Sequence, residues 1–555
     1  MKSHFWSLLL LIIFTYWTVK PLFASGYFSM HDDTQVARVV VMGKAIRNGQ
    51  FPVRWVSGLG YGYGYPLYNF YGPLPYYIGG FLYAAGLDGL IATKVVMASG
   101  MMLSIFAMYA LVTMLFGVAS GFVAGLLYGY APYHAVQLYV RGAVGELWAY
   151  ALLPLLAIGL LFLNRPEKRK TGVWIGGLAL AGIILSHTIS GYVTVVFYLI
   201  GLALYALILL FRRRFHLLRL TSYVLLLFIG LGLSAFFWLP AFAEMGYTNV
   251  AGQIGGGANF RDHFVCLPQL WNSLWGYGGS IPGCLDGMSF KVGKLHVALA
   301  VVGFLFGVLN LRRGIFRHSI GLFTIIGFIG VLLVTTISKP IWEFIPGFAY
   351  IQYPWRFLTL IVFAASIVGS SFLMWVPKRL YQVVLIIPFV IAIFILNAKL
   401  FIPQISYDRP AAFFESEEEL TWRVSGVSDE YLPRSFLKPE NASRVARGIL
   451  TSQELLGLRV ETEINTETYA KIVTHAQNPV EVVLNLVYFP GWKYWVNGVE
   501  QTVRVVNGLP VVMIPSGRSV AELHFTNTPL RTIGNIISIL VVLWFIRIYG
   551  KKTIT

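Results

Sequence analysis

The sequence predicts a mainly α protein, a polytopic membrane helix bundle of about 12 spans (range about 11–14) that carries a C-terminal extracytoplasmic β-rich domain. Three observations predict it. Hydrophobic residues make up 57% of the 555, and charged residues only 12%, about half the usual soluble share. Apolar runs long enough to span a bilayer recur along the chain. Basic residues gather in the short loops between those runs, and acids do not. The first two observations exclude a soluble enzyme and a disordered chain, whose composition is polar and charged. The 2 cysteines exclude a thiolate metal cluster and a disulfide-dense scaffold.

The predicted spans are 5–24, 92–116, 118–133, 146–163, 172–189, 191–211, 219–239, 294–310, 318–337, 356–376, 380–399 and 532–549. Ala24, Ser25 and Gly26 would suit signal-peptide cleavage, but the first run reads as a retained span because apolar segments follow it throughout. Arg165, Lys168, Arg169 and Lys170 form one basic cluster. Arg212, Arg213, Arg214 and Arg219 form another, and Arg312, Arg313 and Arg317 a third. Lys378 and Arg379, then Arg547, Lys551 and Lys552, complete the set. The only acid sharing these loops is Glu167. The formal charge of +18 therefore reads as a positive-inside topology signal, with no nucleic-acid partner. Alternation of direction then puts 25–91, 240–293 and 338–355 outside, and with them the piece Tyr76 to Leu90, read as an interfacial or re-entrant helix. The membrane is expected to be the cytoplasmic (inner) one.

Residues 401–531 form the outer domain, and 532–555 the last span and cytoplasmic tail. Runs at Lys471 to His475, Val480 to Val487, Thr502 to Val506, Val511 to Ile514 and Ser519 to Phe525 alternate or are β-branched. Asn478-Pro479, Asn497-Gly498, Asn507-Gly508 and Ser516-Gly517 punctuate them as turns. That pattern predicts a small antiparallel sandwich. Cys266 and Cys284 share the 240–293 loop, and outside the cell a disulfide between them is expected.

The polar candidates all map to the outer side. The first outer loop opens with His31, Asp32, Asp33, Thr34 and Gln35. Its acids read either as helix-capping groups or as a general base or metal ligand at the membrane surface. Arg38 follows within reach. Residues 58–73 are dense in Tyr, Gly and Pro, and Tyr65, Tyr68 and Asn69 read as the wall of a binding cavity or as interfacial anchors. Tyr133, His134, Arg141 and Glu146 stand at the next outer junction, where a charge needs pairing or water. Arg141 either pairs with Glu146 or clamps a lipid phosphate through its donor fork. His187 and Glu244 lie at further outer ends, each a cap or a site residue. Arg261, Asp262 and His263 are too close together for a convincing metal set. Arg356, outside, needs an anionic partner: a headgroup, a substrate phosphate or one of the acids. No nucleotide-binding glycine loop is present.

These residues resemble the GT-C superfamily of integral membrane glycosyltransferases. Within it, they resemble the bacterial membrane proteins labelled 6-pyruvoyl-tetrahydropterin synthase-related. The segments that carry the resemblance are HDDTQVAR at 31–38, NGQFPVRW at 48–55, YGYPLYNFYGPLPYY at 63–77, YVRGAVGE at 139–146, SH at 186–187, FFWLPAFAE at 236–244, YPWRF at 353–357, DEYLP at 429–433 and YFPGW at 488–492. The pterin label is taken as inherited, since no spaced zinc-binding histidines accompany it. The resemblance implies a GT-C-like bundle over 1–400. It also implies transfer of a sugar from a polyprenyl-phosphate donor to an extracytoplasmic glycan, lipid or protein acceptor, with inversion. Asp33 or Asp32 would be the base, Asp33 being slightly favoured. Arg356 and Arg141 would hold the leaving phosphate, and His187 and Glu244 would line the cavity. No cofactor is certain. Some relatives use a divalent ion beside the loop acid, so Mg2+ or Mn2+ stays open. The competing readings are a lipid or polysaccharide flippase and a non-catalytic envelope scaffold.

Overall fold

The computed structural model describes residues 2–211, 217–253, 258–309, 314–450 and 457–550. Arg212, Arg213, Arg214, Arg312, Arg313, Lys551 and Lys552 of the charge argument lie outside the described residues. Two compact units make up the chain. The first comprises Met1–Asp32, Lys94–Leu231 and Ile254–Asp408, and the second Asp33–Thr93, Gly232–Gln253 and Arg409–Thr555.

The first unit holds most of the apolar helices. Among the described residues of the whole chain, 7 helices are long and apolar enough to cross a membrane, or up to 9 if each of two bent pairs counts as one span. Every predicted span is helical, but not all reach span length. The run predicted as 118–133 is a helix only over Val118–Gly129, 12 residues. That is about 18 Å of rise, against a core of roughly 30 Å. The chain turns at Tyr130 and restarts at Pro132, which has no N–H to continue the ladder and suits a first helical turn. Lys294–Leu309 is likewise short, at 16 residues. His318–Val334 and Thr336–Phe344 form a bent pair at 84°.

Glycine permits close helix contacts in this unit. Val144–Leu163 and Arg169–Ser186 meet where a Cβ on Gly159 would lie 2.5 Å from the Gly176 Cα. Small residues let membrane helices approach this way when lipid offers no hydrophobic drive. The core continues through aromatic contacts such as Phe260 stacked on Trp342, centroids 5.3 Å apart. A two-stranded antiparallel pair, β1 (Tyr27–Phe28) with β2 (Ser406–Tyr407), ties the end of the first span to the end of the last helix of this unit. Cys266 and Cys284 are joined in a disulfide, Cα atoms 5.8 Å apart.

The second unit has a different character. Gln35–Arg47 buries Val36, Val39, Val40, Val41 and Met42 and packs on Leu74–Ala84. The latter covers most of the segment predicted to be interfacial or re-entrant. Its 11 residues rise about 16 Å, too little to cross. The strands form two antiparallel sheets. β3 (Leu458–Asn465), β4 (Tyr469–Ala476), β10 (Gly517–Phe525), β6 (Trp492–Val496) and β7 (Val499–Gln501) pair in that order. β5 (Val480–Val483), β9 (Leu509–Ile514) and β8 (Arg504–Val506) form the second sheet. The turn signals act as predicted. Asn497-Gly498 joins Val496 to Val499, and Asn507-Gly508 joins Val506 to Leu509. All four residues have φ between 51° and 79°, the requirement of a two-residue type I′ hairpin. The sequence reading did not include β3 and β6. β3 is mostly exposed and carries Arg459, Glu461 and Glu463, and β6 is aromatic and short.

Candidate functional site

The first unit gathers polar groups at the start of the helix Val144–Leu163. After Pro132–Ala135 the chain winds as a π-helix over Val136–Arg141 and stops at Gly142, whose φ is 65°. Such insertions are rare and frequent at functional sites. They leave carbonyls free for other segments, and the first loop uses them. His31 N donates to Val140 O (2.9 Å) and Asp32 N to Arg141 O (3.0 Å). A side chain at Gly142 would collide with Met30 Sδ at 2.2 Å, so only glycine lets the loop lie here. His31 Nε2 also donates to Tyr277 O (2.7 Å).

Glu146 is the hub. It is 2% exposed and stands in the first turn of its helix, where backbone N–H groups favour an anion. Arg141 Nη1 reaches Glu146 Oε2 at 2.8 Å, and Tyr133 OH donates to Oε1 at 2.8 Å. Arg356 Nε lies 3.9 Å from the same carboxylate, too far for a hydrogen bond. That Nε is buried with no hydrogen-bond partner, while Nη1 donates to Ile351 O (2.8 Å). Aromatic faces hold both guanidiniums: Arg141 over Trp355 (4.4 Å) and Arg356 over Tyr353 (5.1 Å), a favourable cation–π placement. His187 Nδ1 accepts from Ser190 Oγ (2.8 Å) and Ser190 N (3.2 Å). The neutral ring then carries its proton on Nε2. Arg356, Glu146, Arg141 and Asp32 all act on this ring electrostatically.

A cavity of about 60 Å³ opens beside the cluster, lined by Glu146, Tyr150, Ile183, Val193, Arg356 and Phe357 among others. Its walls are mostly apolar, with Glu146 and Arg356 the charged residues that line it. Burying charge is costly unless it is paired. Two guanidiniums to one carboxylate therefore make a place that an added anion would balance.

The remaining candidates are held elsewhere. His134, in the first unit, is 0% exposed. Its Nδ1 donates to Tyr128 O, and its ring packs edge-on against Tyr128 and Tyr150. Asp33 belongs to the second unit, where its Oδ2 lies 3.6 Å from Arg423 Nη1; Arg423 also pairs with Glu419. The helix begins at Gln35, after both acids. Arg38 is buried, donates to Tyr71 OH (2.8 Å) and lies over the Tyr71 ring. Tyr65 OH accepts from Tyr431 N, and Tyr68 OH donates to Arg38 O. Asn69 Nδ2 donates to Glu244 Oε2 (2.9 Å), and Arg531 grips the same carboxylate through Nε (3.0 Å) and Nη2 (2.8 Å). Arg54 joins this group through Asn69 Oδ1, Phe236 O and Asn535 Oδ1. Arg261 pairs with Glu343 (3.0 Å) rather than with Asp262, and His263 bonds to Ser280. Among the described residues no group of three or more His, Cys, Asp or Glu is placed to hold a metal ion.

The sequence reading had no role for Arg531, Arg423 or Asn535. Arg531 carried a usable signal. A cation in the first turn of a helix opposes the helix dipole, so it needed an acid, as Arg356 did.

No family model matches the chain, and no curated protein matches it. Solved structures do resemble it. One is the Archaeoglobus fulgidus oligosaccharyltransferase in its apo form, at 14% identity and TM-score 0.43, over 74% of this chain and 57% of that one. Another is ArnT from Cupriavidus metallidurans bound to undecaprenyl phosphate, at 14% and 0.35, over 66% and 77%. A third is the arabinofuranosyltransferase AftD from Mycobacteria, at 14% and 0.43, over 74% and 27%. The chain spans about 57% of the length of the first of these proteins.

Proposed function

We propose that the chain is a GT-C-type membrane glycosyltransferase of the inner membrane. It would move a sugar from a polyprenyl-phosphate donor to an extracytoplasmic glycan, lipid or protein acceptor. The observation that carries this reading is the cluster of Arg141, Glu146 and Arg356 beside a small cavity that Glu146 and Arg356 help to line, with Arg356 Nε unsatisfied. A phosphate brings the missing negative charge.

In the reaction the acceptor hydroxyl oxygen attacks the anomeric carbon as the bond from that carbon to the donor phosphate oxygen breaks. The electron pair leaves with the lipid phosphate, and the hydroxyl proton goes to a carboxylate. Displacement from the opposite face inverts the anomeric centre. Arg356 and Arg141 stabilise the charge that develops on the leaving phosphate, and placed donors do this best in a dry site. Asp32 is the better base. Its backbone is bound to Arg141 and its charge acts on His187. Asp33 belongs to the second unit, where its carboxylate faces Arg423. Glu146, saturated by Arg141 and Tyr133, is a positioning residue. Among the described residues no group of three or more His, Cys, Asp or Glu is placed to hold Mg2+ or Mn2+, so no step is routed through a metal.

The test is a panel of polyprenyl-phosphate sugars offered to the full chain in nanodiscs, with mass spectrometry of released lipid phosphate and transferred sugar. Donor consumption abolished in Asp32→Asn but retained in Asp33→Asn is the expected result. No consumption and no bound lipid phosphate with any donor would sink the reading.

A further inference from the structure

A second cavity lies in the first unit, on different helices from the cluster above. Between the ends of Lys2–Val19 and Arg379–Asn397 the surface opens into a groove of about 500 Å³, within the range of ligand sites, roughly 300–1,000 Å³. Trp17, Phe394, Phe401 and Ile402 line it, with Lys20 and Lys399 among them. The rings of Trp17 and Phe394 are 5.0 Å apart. The walls are thus apolar, and the charges on them are both positive.

The positive charge extends beyond the groove. Lys94 Nζ donates to the carbonyl of Ala24, another lining residue (2.7 Å). Tyr277 OH donates to the carbonyl of Ile402, so the loop carrying Trp271 and Trp275 is tied to the groove's rim. Lys294 lies over the Trp271 ring (5.7 Å) and Lys291 over Trp275 (5.4 Å). Burial first, then the like charges of Lys399 and Lys294, pull the Lys291 ammonium below its ordinary value. Among the described residues no acid forms a salt bridge with Lys20, Lys291, Lys294 or Lys399. On the topology read from the loop charges, Lys20 and Lys399 sit at outer helix ends, where lysine is disfavoured without a reason. Tryptophan beside lysine is also the composition of a headgroup-level belt.

We propose that this groove binds an anionic phospholipid. Its acyl chain lies against Trp17, Phe394 and Phe401, and its phosphate is received by Lys20 and Lys399. Ammonium groups act here as point charges that need no fixed approach angle. Lys291 and Lys294 add to the field that selects an anionic headgroup over a neutral one. The lipid braces the first span against the helix Arg379–Asn397. It takes no part in sugar transfer, so its site stands or falls apart from the catalytic proposal.

The experiment uses the full chain, delipidated in neutral detergent, with no sugar donor present. Phosphatidylglycerol, phosphatidylcholine of the same chains, and inorganic phosphate are titrated separately, and thermal unfolding and native mass spectrometry read the binding. Phosphatidylglycerol should raise Tm and be retained, and the other two should not. Lys20→Gln with Lys399→Gln should weaken it on the order of tenfold or more, and Lys20→Arg with Lys399→Arg should restore it. Equal binding of phosphatidylcholine would overturn the charge selection. A full shift from inorganic phosphate alone would overturn the lipid. Unchanged phosphatidylglycerol binding in the folded glutamine variant would overturn the residues. Should that variant not fold, the wild-type preference between the two lipids still decides.

Discussion

Arg141, Glu146 and Arg356 in the first unit, and Arg54, Glu244 and Arg531 in the second, are the same inventory of two guanidiniums and one carboxylate. Each unit has arranged it to a different end. In the second unit Arg531 is 0% exposed, and each of its nitrogens donates: to Glu244, Thr526 O and Pro490 O. Asn69 bridges Glu244 to Arg54, and Thr528 takes the other carboxylate oxygen. Burial first, and Arg531 second, pull the Arg54 guanidinium down to about 10. In the first unit Arg141 and Arg356 keep 12% and 14% exposure, and Arg356 stops 3.9 Å short of its acid beside a cavity. A buried charge cluster is thus not a site by virtue of its residues. Arg54 Nε and Arg356 Nε are both buried without a hydrogen-bond partner, so what distinguishes the two is the cavity that adjoins Arg356.

Removing Arg531 should produce the largest effect. Arg531→Met leaves Glu244 buried and largely uncompensated, which costs about 3–5 kcal/mol. Denaturant or thermal unfolding in detergent should show that loss, or the variant should fail to accumulate. Arg356→Met, which breaks one hydrogen bond and a long ion pair, should cost far less. Equal losses would erase the distinction between a closed and an open cluster.

Activity should invert the order. Arg356→Gln should lower kcat by roughly 10²–10³, the usual consequence of removing one donor from a developing anion, while the fold persists. Steady-state kinetics with whichever polyprenyl-phosphate sugar is consumed provides the check. A rise in KM with kcat unchanged would make Arg356 a donor-binding group that does not act on the transition state.

The disulfide between Cys266 and Cys284 of the first unit comes next. The disulfide closes a sequence separation of 18, worth about 3 kcal/mol in the loop-entropy picture. Cys266→Ser with Cys284→Ser should lower Tm accordingly and leave the Arg356 chemistry intact. Loss of activity without loss of stability would place that loop in the site.

How far the sequence reached follows from the same comparison. Arg141, Glu146, His187 and Arg356 were legible because charge at the edge of an apolar helix is costly and must be explained. Their convergence was not legible, because it depends on the π-helix at Val136–Arg141 and on Gly142, and neither leaves a periodic signature. Asn69 was read from its Tyr-rich stretch and Glu244 from its place at a helix end, and neither reading pointed to the distant Arg531 that shares the Glu244 carboxylate with Asn69. The hairpins were plain from Asn-Gly pairs, whereas β3, in which Leu458, Val460, Thr462 and Ile464 alternate with Arg459, Glu461, Glu463 and Asn465, carried a period-two signal that the sequence reading passed over. Asp32 and Asp33 could not be separated by sequence, since adjacent residues differ only in what each meets.

Glu467 offers the smallest and sharpest test of the closed unit, because it is a buried acid there with no guanidinium. It is 4% exposed and accepts from Ser57 N. Burial pushes its carboxyl above the ordinary range, while the Ser57 hydrogen bonds and Lys44 pull the other way. A folded pKa above the unfolded one contributes stability at pH below the unfolded value, near 4.3, and that contribution is lost as pH rises through the folded value. At neutral pH the native state therefore holds a carboxylate at a cost that Glu244 avoids through Arg531. Glu467→Gln keeps an oxygen for Ser57 and removes the charge. It should melt slightly above the wild type at pH 7.5, with the gap closing by about pH 4. A variant that melts lower at pH 7.5 would show that Lys44 and Ser57 already compensate the charge, and that the second unit tolerates a buried acid without an arginine.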